Sequence, residues 1–173
     1  MTRLFGLRIC VSLSLFLGLV MTSVAEERPN DLSRLDPLIG GEWVCVSWDG
    51  EAPKHQQVLR WEKILGGDAI RETMEKPEID FCREGLIYWD SEQECVASLV
   101  ITNNGLRGQA TVSWEEGKST WIGKVAGPTG RNMKQKETLE ILAADRLRLV
   151  SFNPTDEGWV QRHVLEYARE AAD

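Results

Sequence analysis

The residues best suited to chemistry in this sequence are two histidines, His55 and His163, and four cysteines. Their spacing matches none of the usual reactive motifs: there is no Cys-x-x-Cys, no His-Glu-x-x-His, no Gly-x-Ser-x-Gly and no phosphate-binding Gly-x-x-x-x-Gly-Lys. Two histidines are also too few for a metal site built from several of them. The sequence therefore predicts a protein that is not an enzyme and holds no catalytic metal.

His163 is the histidine that falls within a regular pattern. Alternation places it on one strand face with Trp159, Gln161, Leu165 and Tyr167, and places Val160, Arg162, Val164 and Glu166 on the other. If the aromatic face points inward, His163 is a titratable group in an apolar pocket, where burial lowers the pKa and keeps the imidazole neutral. The alternative is an interior histidine that is hydrogen-bonded and binds nothing.

Four charged residues fall in the middle of predicted strands: Arg71, Glu72, Arg83 and Glu84. Solvated outer strand faces are the ordinary explanation for such residues. A member of the group that points inward would instead pair with an opposite charge or anchor the polar head of a ligand. Both interpretations remain open at the level of sequence.

The first 25 residues resemble a signal peptide, with Arg3 and Arg8 before an apolar run and Ser-Val-Ala at 23–25 as the cleavage site. The run is too short and too soon followed by charges for a membrane span. We therefore expect an exported protein, periplasmic or secreted, with a mature domain at 26–173. Cys10 lies in the apolar run, away from its cleavage end.

The mature chain is acidic. Without Arg3 and Arg8, 18 basic residues face 27 acidic ones, a formal charge of −9. Nucleic-acid binding requires a basic stripe, and none is present, so we expect no nucleic-acid partner. The length suits one domain, which we expect to be a monomer or a weak dimer.

Three cysteines remain in the mature chain, Cys45, Cys82 and Cys95. The predicted hairpin at 79–102 places Cys95 opposite Tyr88, too far along the strand from Cys82 for a disulfide. We expect all three to be buried free thiols.

Alternating apolar residues and short turns determine where all these residues lie. In the segment 58–74, Leu59 and Trp61 alternate before Gly66-Gly67, and Ile70 and Met74 alternate after it, as in a β-hairpin. About ten such strands follow one another, with no room for a long crossover helix. The sequence therefore predicts an all-β, antiparallel up-and-down barrel with a short N-terminal helix at 30–39; a two-sheet sandwich is the alternative.

A resemblance to a known family rests on four segments: LIGGEW at 38–43, WEKILGG at 61–67, EGLIYWD at 84–90, and DEGW at 156–159 followed by YAR at 167–169. Together they resemble an uncharacterised bacterial family of lipocalin-like, calycin-type barrels, over nearly all of the mature chain. In calycins an early tryptophan closes the barrel floor under a basic residue of the last strand. The resemblance implies this structural role for Trp43 and Arg169.

A more distant similarity is to nitrobindin-type barrels, which hold haem through a histidine on the last strand. His163 stands at about that position, so this similarity implies haem as the one candidate cofactor. The glycine-rich run that follows the first tryptophan in those proteins is replaced here by Val-Cys-Val-Ser at 44–47.

Two classes of function fit this sequence best. The first is a binding protein that holds a small, largely apolar molecule in the barrel lumen, with six candidate lining residues: Trp61, Met74, Tyr88, Trp114, His163 and Tyr167. The second is a structural or protein-interaction barrel whose lumen is filled by side chains.

Overall fold

The computed structural model of the protein describes residues 32–115 and 117–170, and the predicted signal peptide at 1–25 lies outside these ranges. Ten strands follow one another along the chain: β1 Glu42–Trp48, β2 Val58–Ile64, β3 Ala69–Lys76, β4 Phe81–Asp90, β5 Cys95–Thr102, β6 Arg107–Glu115, β7 Lys118–Ala126, β8 Asn132–Ala143, β9 Arg146–Thr155 and β10 Gly158–Glu170. Each strand pairs antiparallel with its neighbours in the sequence.

The sheet closes because β1 pairs with both β2 and β10, with Trp43 opposite Leu59 on one side and Arg169 on the other. This pairing leaves no edge strand, which is how a closed barrel avoids exposing unpaired backbone groups. The predicted all-β, antiparallel barrel of ten strands is confirmed, and the two-sheet sandwich is wrong.

The hairpin that joins β2 to β3 forms where the sequence predicts it. Leu65, Gly66 and Gly67 make a single 3₁₀ turn, in which both glycines have positive φ, 71° and 102°. That backbone conformation is open to glycine without a steric cost.

The N-terminal helix predicted at 30–39 is not found: only a short 3₁₀ segment forms there, Leu32–Leu38, and the described ranges contain no α-helix. Pro37 lies inside it and has no N–H to donate, which explains why the segment does not continue as an α-helix. Leu32, Leu35 and Leu38 are buried against the end of the barrel where β1 begins, which we call the floor. None of the helical segments described has the length and apolar character needed to cross a membrane.

The floor half of the barrel is filled by large side chains. Trp43 and Trp61 meet edge to face with ring centroids 6.4 Å apart, and the indole N–H of Trp43 donates to the Leu38 carbonyl, 3.0 Å away. The guanidinium of Arg169 lies 4.3 Å from the centroid of the Trp43 ring. The opposite end, where β1 ends and β10 begins, is the mouth.

Candidate functional site: a cavity in the barrel lumen

A cavity of about 200 Å³ lies in the lumen. Side chains or backbone of strands β3 to β9 line it, and the floor aromatics do not. The lining residues are Glu72, Phe81, Arg83, Ser98, Val100, Thr102, Leu106, Gly108, Gln109, Ala110, Trp121, Gly123, Lys124, Val125, Gln135, Glu137, Leu139 and Leu149.

The cavity exists because three adjacent strands place small residues on their inward faces. Ser98 on β5 pairs in register with Ala110 on β6, and Ala110 pairs with Gly123 on β7. Gly108 precedes Ala110 on the same face of β6. Because none of these residues carries a large side chain, this side of the lumen stays open.

At two of these positions, close packing leaves no room for any residue larger than glycine. A Cβ on Gly123 would lie 1.9 Å from the backbone oxygen of Gln109, and a Cβ on Gly108 would lie 2.6 Å from a methyl carbon of Val100. Glycine inside a strand often marks a close approach of two backbones, as it does at Gly123. The small residues are therefore required by the way β6 and β7 pack as well as by the cavity.

Apolar side chains form most of the remaining wall. They come from several strands and from the loop before β6: Phe81, Val100, Leu106, Trp121, Val125, Leu139 and Leu149. Trp121 is held in place because its indole N–H donates to the Ser119 hydroxyl, 2.9 Å away. A wall of this kind suits the apolar body of a ligand.

Three charged side chains interrupt the apolar wall: Glu72 on β3, Arg83 on β4 and Glu137 on β8. Arg83 is paired with Glu72 through Nη2 and Oε1. The second oxygen of Glu72 accepts from the Trp61 indole at 3.3 Å, and Glu137 accepts from the Gln135 amide at 2.6 Å. Of the four mid-strand charged residues, Glu72 and Arg83 therefore point inward, as the second interpretation required.

Arg71 and Glu84 take the other face of their strands. The guanidinium of Arg71 pairs with Glu62 at 2.8 Å on the outer surface, and Glu84 is exposed. The ordinary explanation, a solvated outer face, thus holds for two of the four residues only.

The electrostatics of the charged trio follow from its burial. Desolvation raises the pKa of Glu137, with a further contribution from the Glu72 charge, and these effects outweigh the opposing influence of Arg83 and of the Gln135 hydrogen bond. Burial alone would lower the pKa of Arg83, but the carboxylates of Glu72 and Glu137 reverse that effect and raise it. The guanidinium of Arg83 therefore stays charged, and Glu137 keeps its proton to a higher pH than an exposed glutamic acid would.

None of the six residues predicted to line the lumen lines this cavity. Trp61 and Met74 are buried one layer away, where Trp61 contacts Glu72 and Met74 is the register partner of Arg83. Tyr167 is buried and bonded to the Gln57 amide. Burial raises the pKa of the Tyr167 phenol. Of these three residues, Trp61 contacts the cavity wall directly, through its hydrogen bond to Glu72.

Tyr88 and Trp114 lie elsewhere. Tyr88 is on the opposite strand face from the buried Ile87, beside Ala69 and Ala97. Trp114 packs against the core near the floor and lines a separate cleft with Arg34, and its indole N–H is buried without a hydrogen-bond partner among the described residues.

His163 lies at the mouth, outside the cavity. A bulge between Gln161 and His163 shifts the register of β10 against β9, so the alternation predicted across 159–167 is broken there. Its Nδ1 is 2.8 Å from Asp49 Oδ2 and 3.2 Å from the Trp48 indole nitrogen. Nδ1 cannot donate to Asp49 and accept from Trp48 at once, and the shorter contact to a carboxylate is the stronger one.

These surroundings do not fit haem. Iron bound to His163 would have to sit outside the cavity, since His163 is not part of its wall. Trp48 packs against the imidazole with ring centroids 5.2 Å apart, and a cavity of about 200 Å³ is far too small for a porphyrin. Among the described residues there is also no group of three or more histidine, cysteine or acidic side chains able to hold a metal ion.

The three cysteines are free thiols, but only Cys45 is buried, and Cys82 and Cys95 are partly exposed. The expectation of three buried thiols is therefore wrong for two of them. Cys95 pairs with Asp90 rather than Tyr88, because the turn occupies 91–94. Burial raises the pKa of the Cys45 thiol, which keeps it protonated and unreactive.

Sequence reasoning missed the residues that make the cavity, although two signals pointed to them. Gly108 and Gly123 interrupt strands that are otherwise well patterned, which indicates close backbone approach or missing side-chain volume. Glu137 alternates with Leu139 and Ile141 on one face of β8, so an acid stands on an apolar face.

A scan against models of known protein families finds no match to this chain, and a search of curated proteins finds no significant match either.

Proposed function

We propose that the protein binds a small, largely apolar molecule in the lumen of its barrel, and that the binding site is the cavity between the small residues of β5–β7 and the charged trio. The observation that carries the proposal is the cavity itself: about 200 Å³ is kept open by Ser98, Gly108, Ala110 and Gly123.

The size of the cavity limits the ligand. An engineered apolar protein cavity of about 150 Å³ binds benzene. The lumen of this protein is somewhat larger, about 200 Å³, which suits a single ring with a short substituent. A long-chain lipid or a porphyrin does not fit, so the ligand is a small metabolite or a fragment of a lipid.

The competing function is that of a structural or interaction barrel with no ligand. The floor half favours it, since Trp43, Leu59 and Tyr167 are fully buried there. The mouth half favours binding, because Ala110 borders space there that a larger apolar side chain at the same position would fill.

Isothermal titration with small aromatic compounds tests the proposal. Ala110→Phe places a ring in the cavity, whereas Thr111→Phe places the same ring on the exposed face of the same strand and serves as the control. We expect wild type and Thr111→Phe to bind and Ala110→Phe to lose binding at least about tenfold. Equal binding by all three proteins would place the site elsewhere, and no binding by any would support the filled, structural barrel.

We propose further that the protein is exported and that its signal peptide is cleaved after Ala25. We also propose that it acts as a monomer or weak dimer and that its barrel belongs with the lipocalin-like group. The signal-like segment at 1–25 supports export. Mass spectrometry of the protein isolated from its own cells tests the cleavage directly, and we expect a mature N-terminus at Glu26.

A further inference from the structure

More negative than positive side chains face the lumen cavity. Two carboxylates, Glu72 and Glu137, face one guanidinium, Arg83, and the guanidinium is already committed to Glu72. Lys124 also borders the cavity, but this residue is exposed. Its register neighbours are Gln109 and Lys134, so its ammonium lies on the outer face of the barrel. Among the described residues Glu137 makes no ion pair, although the charge of Arg83 is near enough to influence it.

The other titratable groups near this site do not supply Glu137 with a cationic partner. Lys76, on the inward face of β3, lies at the mouth with its ammonium 4.9 Å from the centroid of Trp48 and 5.7 Å from that of Phe81. It is not part of the cavity wall. Burial lowers the pKa of Lys76 and keeps the Tyr167 phenol protonated. The neighbours of Glu137 on β7 and β9 are uncharged, Trp121 and Ser151.

A carboxylate that makes no ion pair in a mostly apolar cavity has two ways to avoid the cost of a desolvated charge. It can take up a proton, or it can be neutralised by a cation that enters the cavity. An anionic ligand would instead bring a third negative charge to a site whose one guanidinium is already paired, which is unfavourable at this low polarity.

We propose that the lumen ligand is a small primary amine on an apolar, ring-sized body, and that Glu137 is the counter-ion of its ammonium group. This proposal rests on the binding function proposed above and specifies the class of ligand. The apolar body contacts Val100, Val125 and Leu149, and the ammonium binds the Glu137 carboxylate beside its register neighbour Trp121, whose aromatic ring also favours a cation.

Binding of this kind is linked to pH. In the empty cavity Glu137 holds its proton to a pH above its ordinary pKa of 4.5, because burial disfavours its charge. The entering ammonium stabilises the carboxylate, so the proton leaves as the ligand binds. Affinity for the amine therefore rises as the pH is raised through the elevated pKa of Glu137 and falls as the pH is lowered through it.

Three compounds that share a phenyl ring separate the possible classes: phenethylamine, phenylacetate and ethylbenzene. Titration calorimetry with wild type and Glu137→Gln is the experiment, and Glu140→Gln is the matched control, because Glu140 is on the same strand but faces outward toward Arg148. We expect wild type and Glu140→Gln to bind phenethylamine at least about tenfold more tightly than the other two compounds, and Glu137→Gln to lose this preference.

A second measurement needs no variant. Calorimetry of wild type in two buffers of different ionisation enthalpy reports the protons released, and we expect release on binding the amine at pH values below the elevated pKa of Glu137, with none for ethylbenzene. If ethylbenzene or phenylacetate binds as tightly as the amine, or Glu137→Gln keeps the preference, the amine proposal is overturned while the lumen site stands. If none of the three compounds binds, both proposals fail together.

Discussion

Arg169 on the last strand covers Trp43 on the first, with the guanidinium carbon 4.3 Å from the centre of the indole ring and the two residues directly paired in register. The contact lies across the seam that closes the barrel. Arg169 also reaches the Pro37 carbonyl, and Trp43 donates to the Leu38 carbonyl. One pair of side chains thus ties β1, β10 and the 3₁₀ helix together at the floor.

Replacing Trp43 with Phe should therefore weaken the closed barrel. The substitution removes the indole N–H and leaves the buried Leu38 carbonyl without that donor, which we expect to lower the free energy of unfolding by about 1–3 kcal/mol. Urea denaturation measures the change. Trp89→Phe is the control, since Trp89 is 39% exposed and should change stability far less. Equal effects of the two substitutions would contradict the closing role of Trp43.

Within the charged trio, we expect the loss of the one cation to destabilise the protein more than the loss of a carboxylate. Arg83→Met leaves Glu72 and Glu137 facing each other with no cation, whereas Glu72→Gln leaves Arg83 with Glu137 still beside it. Breaking a buried ion pair costs about 3–5 kcal/mol when one charge is left uncompensated, so we expect a loss of this size for Arg83→Met and a smaller one for Glu72→Gln. Chemical denaturation of both variants at neutral pH checks the order, and the reverse order would refute this arrangement of charges.

Gly123 permits a sharper packing test. A Cβ at this position would meet backbone atoms, the Gln109 oxygen at 1.9 Å and the Ala110 Cα at 2.6 Å, and backbone cannot rotate away as a side chain can. We expect Gly123→Ala to destabilise the protein by about 1–3 kcal/mol or more. Gly127→Ala is the matched control, because its nearest atom, on Leu106, is 3.9 Å away. Similar unfolding midpoints for the two variants would show that β6 and β7 pack less closely than described.

At the mouth, the pair Asp49–His163 predicts a pH effect. The hydrogen bond from His163, followed by that from the Val164 N–H, lowers the pKa of the Asp49 carboxyl below its ordinary 3.8. Because the folded-state pKa is depressed, the stabilisation is present above the ordinary pKa and is lost as the pH falls through the depressed one.

A carbon-detected NMR titration of Asp49 measures this pKa directly. We expect it to lie below 3.8 in wild type and to rise toward that value in His163→Ala, since the first of its hydrogen bonds is then missing. His55→Ala should leave the Asp49 pKa unchanged. An unchanged value in His163→Ala would mean that the Val164 N–H alone controls the carboxyl.

Alternation of apolar and polar residues is enough to locate the strands and the hairpin turns of this protein. Strand positions and hairpin turns depend on neighbouring residues, so the hairpin expected over 58–74 and its Gly66-Gly67 turn are both found. Barrel closure is different, because the absence of crossover helices left a two-sheet sandwich open as well. The pairing that closes the sheet joins β1 to β10, at opposite ends of the chain.

The cavity could not be predicted in the same way. It depends on three strands placing Ser98, Ala110 and Gly123 side by side, and that register is set by turns and bulges rather than by any one segment. The bulge before His163 breaks the alternation of β10, which is why residues assigned to one face in sequence do not act as one surface. Aromatic residues were expected to line the lumen, but most of them fill the floor instead.

The most direct test of lumen binding is a nitrogen–proton correlation spectrum of the protein titrated with phenethylamine and, separately, with ethylbenzene. If the cavity is the binding site, the largest shifts with at least one compound will be those of the amides of Ser98, Gly108, Gly123 and Glu137, which surround it on four strands. Shifts that instead cluster at His163, at Trp114 or on the outer face, or the absence of shifts with both compounds, would contradict the account.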